Sequence, residues 1–225
     1  IDVLLDSAES KIFEITSAHH SKGFTPLKEV VRDAFKQIEK LYEQKEPITG
    51  VATGFNDFDR MTSGLQPSDL IILAARPSMG KTALALNISQ HVALRKGAPV
   101  GIFSLEMAKA QLLMRVLCAE SMVDAHRVRT GYLSKDDFGK LIDSLGQIAN
   151  APIFIDDSSS LTIMQMRAKA RRMKAEYGLG LIVVDYLQLM SGFGHTENRT
   201  QEISGISRGL KALAKELEVP VVALS

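Results

Sequence analysis

Residues 69–95, DLIILAARPSMGKTALALNISQHVALR, constrain the fold more than any other stretch. A strand-like stretch, residues 69–75, apolar after Asp69, passes through a short loop into a helical pattern that begins at Lys81 and ends at Gly97. The loop closes on Gly80-Lys81-Thr82, the last three positions of the phosphate-loop pattern G-x-x-x-x-G-K-[ST]. Counting back from Gly80, Ala75 stands where the first glycine belongs. A Gly-Lys-Thr alone is a common helix start. Placed between a buried strand and a helix, it has the context that a phosphate loop requires. Alanine keeps the side chain small, and the missing glycine matters least where the backbone torsion is not left-handed.

The same alternation continues along the chain. Strands are read at 99–105 (PVGIFSL), 151–157 (APIFIDD), 181–187 (LIVVDYL) and 220–224 (PVVAL). Helices are read at 108–119, from a cap at Ser134, at 162–177 and at 201–217. Thr162 with Gln165 reads as a capping box, and Gly178 as the stop. Strands so uniformly apolar are expected to be covered on both faces. The fold class is therefore α/β, with a mainly parallel sheet flanked by helices. Residues 50–64 read as a turn-rich entry punctuated by Gly50, Gly54 and Gly64.

The first 48 residues have a different texture. Residues 1–18 carry one apolar stripe, Leu4, Leu5, Ala8, Ile12 and Ile15. After SKGF, Thr25 reads as an N-cap and Pro26 as the first helical residue. The stripe of that second helix is Leu27, Val30, Val31, Phe35, Ile38 and Leu41, with Glu29–Arg32 and Asp33–Lys36 pairs on its other face. Two helices cannot make a core alone, so both are expected to lie on the main domain or on another subunit. The domain reading is a helical docking region at 1–48 and an ATPase-like domain at 49–225.

Bulk properties exclude more than they assign. With 27 basic and 26 acidic residues, net charge says nothing for or against a polyanionic partner, and any nucleic-acid surface would be a local patch. The one cysteine, Cys118, rules out an internal disulfide framework and fits a reducing compartment. No apolar run approaches the roughly 20 residues of a membrane span, and no secretory signal is visible, so a cytoplasmic, membrane-free protein is expected. The chain opens on Ile1 and closes on PVVALS, which reads as a piece of a longer protein.

Candidate site residues follow from the strand ends, because ligands of open α/β sheets collect at the strands' carboxyl edge. Ala75, Arg76, Pro77, Ser78, Met79 and Gly80 would cradle phosphates with their backbone N–H groups. Lys81 would reach the β and γ phosphates of ATP, and the Thr82 hydroxyl would bind Mg²⁺. Asp185, ending LIVVD, is the preferred acid for the same metal, with Asp156 and Asp157 as competitors on another strand. Glu106, just after GIFSL, is placed to activate a water, or merely starts a helix.

These residues carry a resemblance. ARPSMGKT, FSLEM, IDDSS, VVDYLQLM, ENRTQEISGISRGLKALAKEL and VPVVALS, in that order, resemble the replicative DNA helicase family called DnaB. ARPSMGKT, with alanine first, is that family's own form of the loop. The resemblance implies a RecA-like P-loop core preceded by a helical linker. It implies a homo-hexameric ring that moves on single-stranded DNA and unwinds duplex with ATP and Mg²⁺, in company with primase and a helicase loader. It implies Lys81 and Glu106 as catalytic residues, Thr82 and Asp185 as metal residues, and Arg115 as a recurrent arginine near the nucleotide. It also implies that a sensor glutamine, a DNA-contacting loop and an arginine finger lie past position 225. A RecA-like ATPase of recombination or repair, or an inactive nucleotide-binding or oligomerisation fragment, is the alternative. The first helix is expected to dock on a neighbouring subunit, or else to fold back on its own core.

Other features stay open. Arg167, Lys169, Arg171, Arg172 and Lys174 form either a phosphate-backbone patch or a solvated helix face. Residues 191–200, SGFGHTENRT, either reach DNA or are simply a polar loop. The histidines at 19, 20, 91, 126 and 195 lack metal-ligand spacing, and Cys118 reads as a core thiol.

Overall fold

The computed structural model describes residues 26–44, 47–76, 78–190 and 199–225. The first helix expected from sequence, Thr25, Pro77, His19, His20, His195 and most of the polar loop after residue 190 lie outside them. The chain divides between Glu46 and Pro47 into two units, each taken by itself. In the first, α1 (Leu27–Gln44) begins one residue after Pro26 rather than on it. Its apolar residues recur at helical spacing, as the sequence indicates.

Among the described residues, the second unit is built on five parallel strands: β1 (Leu70–Leu73), β2 (Val100–Ser104), β3 (Ile153–Asp156), β4 (Leu181–Asp185) and β5 (Val221–Leu224). Their spatial order is β1-β5-β4-β2-β3. Helices α2 (Asn56–Thr62), α3 (Lys81–Lys96), α4 (Lys109–Ser121), α5 (Ala125–Thr130), α6 (Lys135–Ala149), α7 (Ile163–Tyr177) and α8 (Arg199–Leu217) accompany them.

Alternation along the strands sorts side chains into two layers. Leu181 and Val183 of β4, with Val222 and Leu224 of β5, pack with Ala85, Leu86, Val92, Leu112 and Val116 of α3 and α4. Ile182, Val184, Val221 and Ala223 point the other way, onto Met166, Ala170, Ile206, Leu210 and Leu213 of α7 and α8. These central strands are covered on both faces. The outer two are not: Ile72 of β1 is 48% exposed, and every residue of β3 is half-buried. Full coverage therefore holds only for strands with neighbours on both sides. Gly209 lets α8 close on α7, since a Cβ there would sit 2.6 Å from Ile163 Cγ1.

Local signals explain most boundaries. Ser134 with Asp137, and Thr162 with Gln165, form reciprocal capping boxes. Left-handed Gly97 and Gly131 end α3 and α5. In the turn-rich entry, buried Asp59 accepts hydrogen bonds from the Thr53 and Gly54 N–H groups and from the Thr53 hydroxyl. The two Thr53 donors are buried and have no water to fall back on when the carboxylate is removed. Asp59→Ala should therefore lower the unfolding free energy by about 3 kcal/mol. Urea denaturation measures this, and a loss under ~1 kcal/mol would mean the entry segment is not anchored by this residue.

Candidate functional site

The carboxyl edge of the sheet gathers residues from three strands. The phosphate loop leaves β1, Glu106 follows β2, and Asp185 ends β4. Ser104 pairs in register with Asp185, which brings the Glu106 turn beside the β4 terminus. That turn is pinned by Ser104: its hydroxyl donates to the Met107 carbonyl at 2.7 Å and accepts from the Met107 N–H.

The loop itself has the torsions its function needs. Ser78 and Gly80 have φ of 66° and 84°, while Ala75 keeps an ordinary negative φ. A first-position glycine is thus not required by backbone conformation. At Gly80 a Cβ would meet nothing within 4 Å, so it is the torsion and not space that favours glycine there. Helix α3 then starts without a side-chain cap and without an acid in its first turn. Its leading N–H groups and positive dipole end are left to an external anion.

Ala75, Arg76, Ser78, Gly80, Lys81, Thr82, Glu106 and Arg115 all line one cavity of about 490 Å³. Met107, Tyr186, Gln188 and Ser225 complete its wall. A larger groove of about 1140 Å³ lies between α3, α4 and α5 and shares Glu106, Met107 and Arg115 with it. The larger groove lacks the loop and the helix start, so the smaller cavity is the candidate site. Met79, at the loop tip, is 73% exposed and is not among the lining residues.

Thr82 lines the cavity and its hydroxyl donates to Asp185 Oδ2 at 2.8 Å, while Asp185 itself is not among the lining residues. Asp185 is 2% exposed, and its Oδ1 is buried with no hydrogen-bond partner among the described residues. A hydroxyl beside a buried carboxylate oxygen of this kind is a hard-oxygen donor set that suits Mg²⁺. The Lys81 ammonium lies 5.0 Å from the centre of the Tyr186 ring. The competing acids are engaged elsewhere. Asp156 accepts from Ser158 and Lys169, and Asp157 from the Lys109 N–H. Burial pushes Asp156 up, but the bonds from Lys169 and Ser158 outweigh it and leave it below the usual carboxylate range. For Asp157, the Lys109 N–H holds the carboxyl down.

Other sequence candidates separate cleanly. Arg167 and Arg171 both pair with Glu216, Lys169 with Asp156, Arg172 with Glu176, and Lys174 donates to the Leu217 carbonyl. Four of these five side chains are thus engaged by groups outside α7, while Arg172, its side chain 84% exposed, meets Glu176 on its own helix. Cys118 is buried; desolvation pushes its thiol up, and Asp124 adds to this, as befits an inert core thiol. Among the described residues no group of His, Cys, Asp and Glu could hold a metal by itself, and no helix is long and apolar enough to cross a membrane. Tyr186, Gln188 and Ser225 escape sequence reasoning. Their only sequence signal is adjacency to the two strand ends.

Residues 50–225 match the family model described as the DnaB-like helicase C terminal domain. The chain is 55% identical over its whole length to the replicative DNA helicase DnaB of Geobacillus stearothermophilus, covering 50% of that protein. It is 50% identical to the replicative DNA helicase DnaC of Bacillus subtilis, again over its whole length and 50% of the relative. The chain spans about half the length of these relatives. Among solved structures it is similar to a DnaB-like replicative helicase studied for its interactions with primase, with a TM-score of 0.80 and 33% identity, over 98% of this chain and 52% of that one. It is also similar to a separately solved ATPase domain, with a TM-score of 0.84 and 34% identity, over 90% and 72% of the two chains.

Proposed function

We propose, from the premise that this chain belongs to the DnaB-like helicase C-terminal domain family, that it is the ATP-driven motor part of a ring-forming replicative DNA helicase. One observation carries the nucleotide reading: Thr82, which lines the same cavity as Lys81 and Glu106, is hydrogen-bonded to buried Asp185, 103 residues away in sequence. Phosphates of ATP would rest on the Ser78–Gly80 turn and the free N–H groups of α3. Lys81 would leave the Tyr186 ring to reach the β and γ phosphates. Thr82 and Asp185 would hold Mg²⁺, which when bound offsets charge on the phosphates. Glu106 would orient a water for in-line attack on the γ phosphate and take its proton. Arg115 lines the same cavity and would add positive charge near the nucleotide.

The whole protein would work as a cytoplasmic homo-hexamer on single-stranded DNA, with primase and a helicase loader as partners. Residues 1–48 would serve as a helical linker and subunit-docking region, and 49–225 as part of the RecA-like motor. The relatives' names and the primase-associated neighbour support this reading. The test uses the full-length protein with ATP, Mg²⁺ and a forked duplex. Hydrolysis should rise on adding single-stranded DNA, and the duplex should separate only when ATP is hydrolysed. ATP turnover indifferent to DNA, with no strand separation, would point to another RecA-like ATPase.

A further inference from the structure

Ser225 is held at three points. Its N–H donates to the Leu73 carbonyl at 3.0 Å, the ladder bond that continues β1 and β5. Its carbonyl accepts from the N–H of Ala75, the first residue of the phosphate loop, at 3.3 Å. Its hydroxyl accepts from Gln188 Nε2 at 2.7 Å. Gln188 sits in the 3₁₀ turn Leu187–Leu189, which follows closely on Asp185. Because β5 lies between β1 and β4, Ser225 stands between the strand that feeds the phosphate loop and the strand that ends in the acid.

We propose that Gln188 is a positioning residue: through Ser225 it fixes the turn that follows Asp185 against the phosphate loop. This inference rests on the nucleotide reading of the cavity. Two parts of the site come from strands that are not neighbours: β5, in register with both, links the strands themselves, but the turn that follows Asp185 lies beyond the ladder and needs a side-chain tie to the loop. The Gln188–Ser225 bond supplies that tie, and it is side chain to side chain, so it can be removed without breaking the ladder. Gln188 would act through Asp185 and the loop, and not on the phosphates.

The consequence is a split between binding and turnover. In the full-length protein, Gln188→Met and Ser225→Ala should each lower kcat for ATP about fivefold, while KM changes less than about twofold. Both changes break the Gln188–Ser225 bond, so the double variant should be no slower than Gln188→Met alone. Ser225→Thr keeps the hydroxyl and should restore most of the rate. Melting temperatures should stay close to wild type, which separates positioning from a fold defect. Multiplying effects in the double variant, an unchanged kcat in the singles, or failure of Ser225→Thr to recover would overturn the proposal. Wild-type protein that binds no ATP would overturn the nucleotide reading and this inference together. Normal ATP binding with independent variants would overturn this inference alone.

Discussion

Glu106→Gln in the full-length protein is expected to cut ATP turnover by about 10²- to 10⁴-fold, the range that a positioned general base supplies. ATP affinity should stay within about threefold of wild type, because no phosphate contact is removed. The amide keeps the shape of the carboxylate but cannot accept a proton. Glu106 is exposed at the mouth of the cavity and starts no regular helix; α4 begins at Lys109. Its place on the wall is set by the Ser104–Met107 turn, so the variant should fold normally. Equilibrium binding of a nucleotide beside single-turnover hydrolysis separates the two quantities. Normal hydrolysis by Glu106→Gln would move the base to another residue.

Lys81→Ala should fail one step earlier. Removing the ammonium deletes a charge-assisted contact to the phosphates, which should weaken ATP binding by roughly 10- to 100-fold. Titration calorimetry with ATP and Mg²⁺ reads this directly. The Lys81 ammonium lies 5.0 Å from the Tyr186 ring centre, a contact worth about 1 kcal/mol, so its loss should leave stability little changed. Full ATP affinity in this variant would mean that the phosphates bind elsewhere, and the assignment of the cavity would fall. The two variants thus divide the site into a part that holds the nucleotide and a part that consumes it.

How much of this is legible in the sequence depends on the range of the signal. The phosphate loop and Asp185 are each written in one unbroken stretch: an apolar strand followed at once by its polar end. The capping boxes at Ser134 and Thr162 are local as well. Helices α2 and α5 escape sequence reading for a different reason. Each is under two turns long, and α2 hides among glycines that elsewhere mark loops. Asp124, whose side chain accepts from His126 and Arg127 N–H groups, is the readable cue for α5. The fate of the basic residues on α7 cannot be read at all, because Glu216 meets Arg171 across 45 residues of chain. The same holds for Gln188 and Ser225, which are 37 residues apart and join a turn to a strand tip. Periodicity reports which face of an element is buried, but not which polar ends meet.

The placement of β5 also dictates an order of events while the protein folds. Among the described strands, β1 pairs only with β5, and Leu70 must wait for Val221 to find a partner in register. The pairs β2–β3 and β2–β4 can close over shorter loops once their helices form. A newly made chain therefore carries its phosphate loop on an unpaired strand until β5 has been made. When β5 pairs with both β1 and β4, the strand that feeds the phosphate loop is fixed in register, through β5, with the strand that ends in Asp185. Loop-closure entropy weighs most on that long-range pairing, and β1 offers an open edge to other chains until it happens. Nucleotide binding would thus report completion of the sheet: a chain able to hold ATP tightly is one whose β5 is already in place.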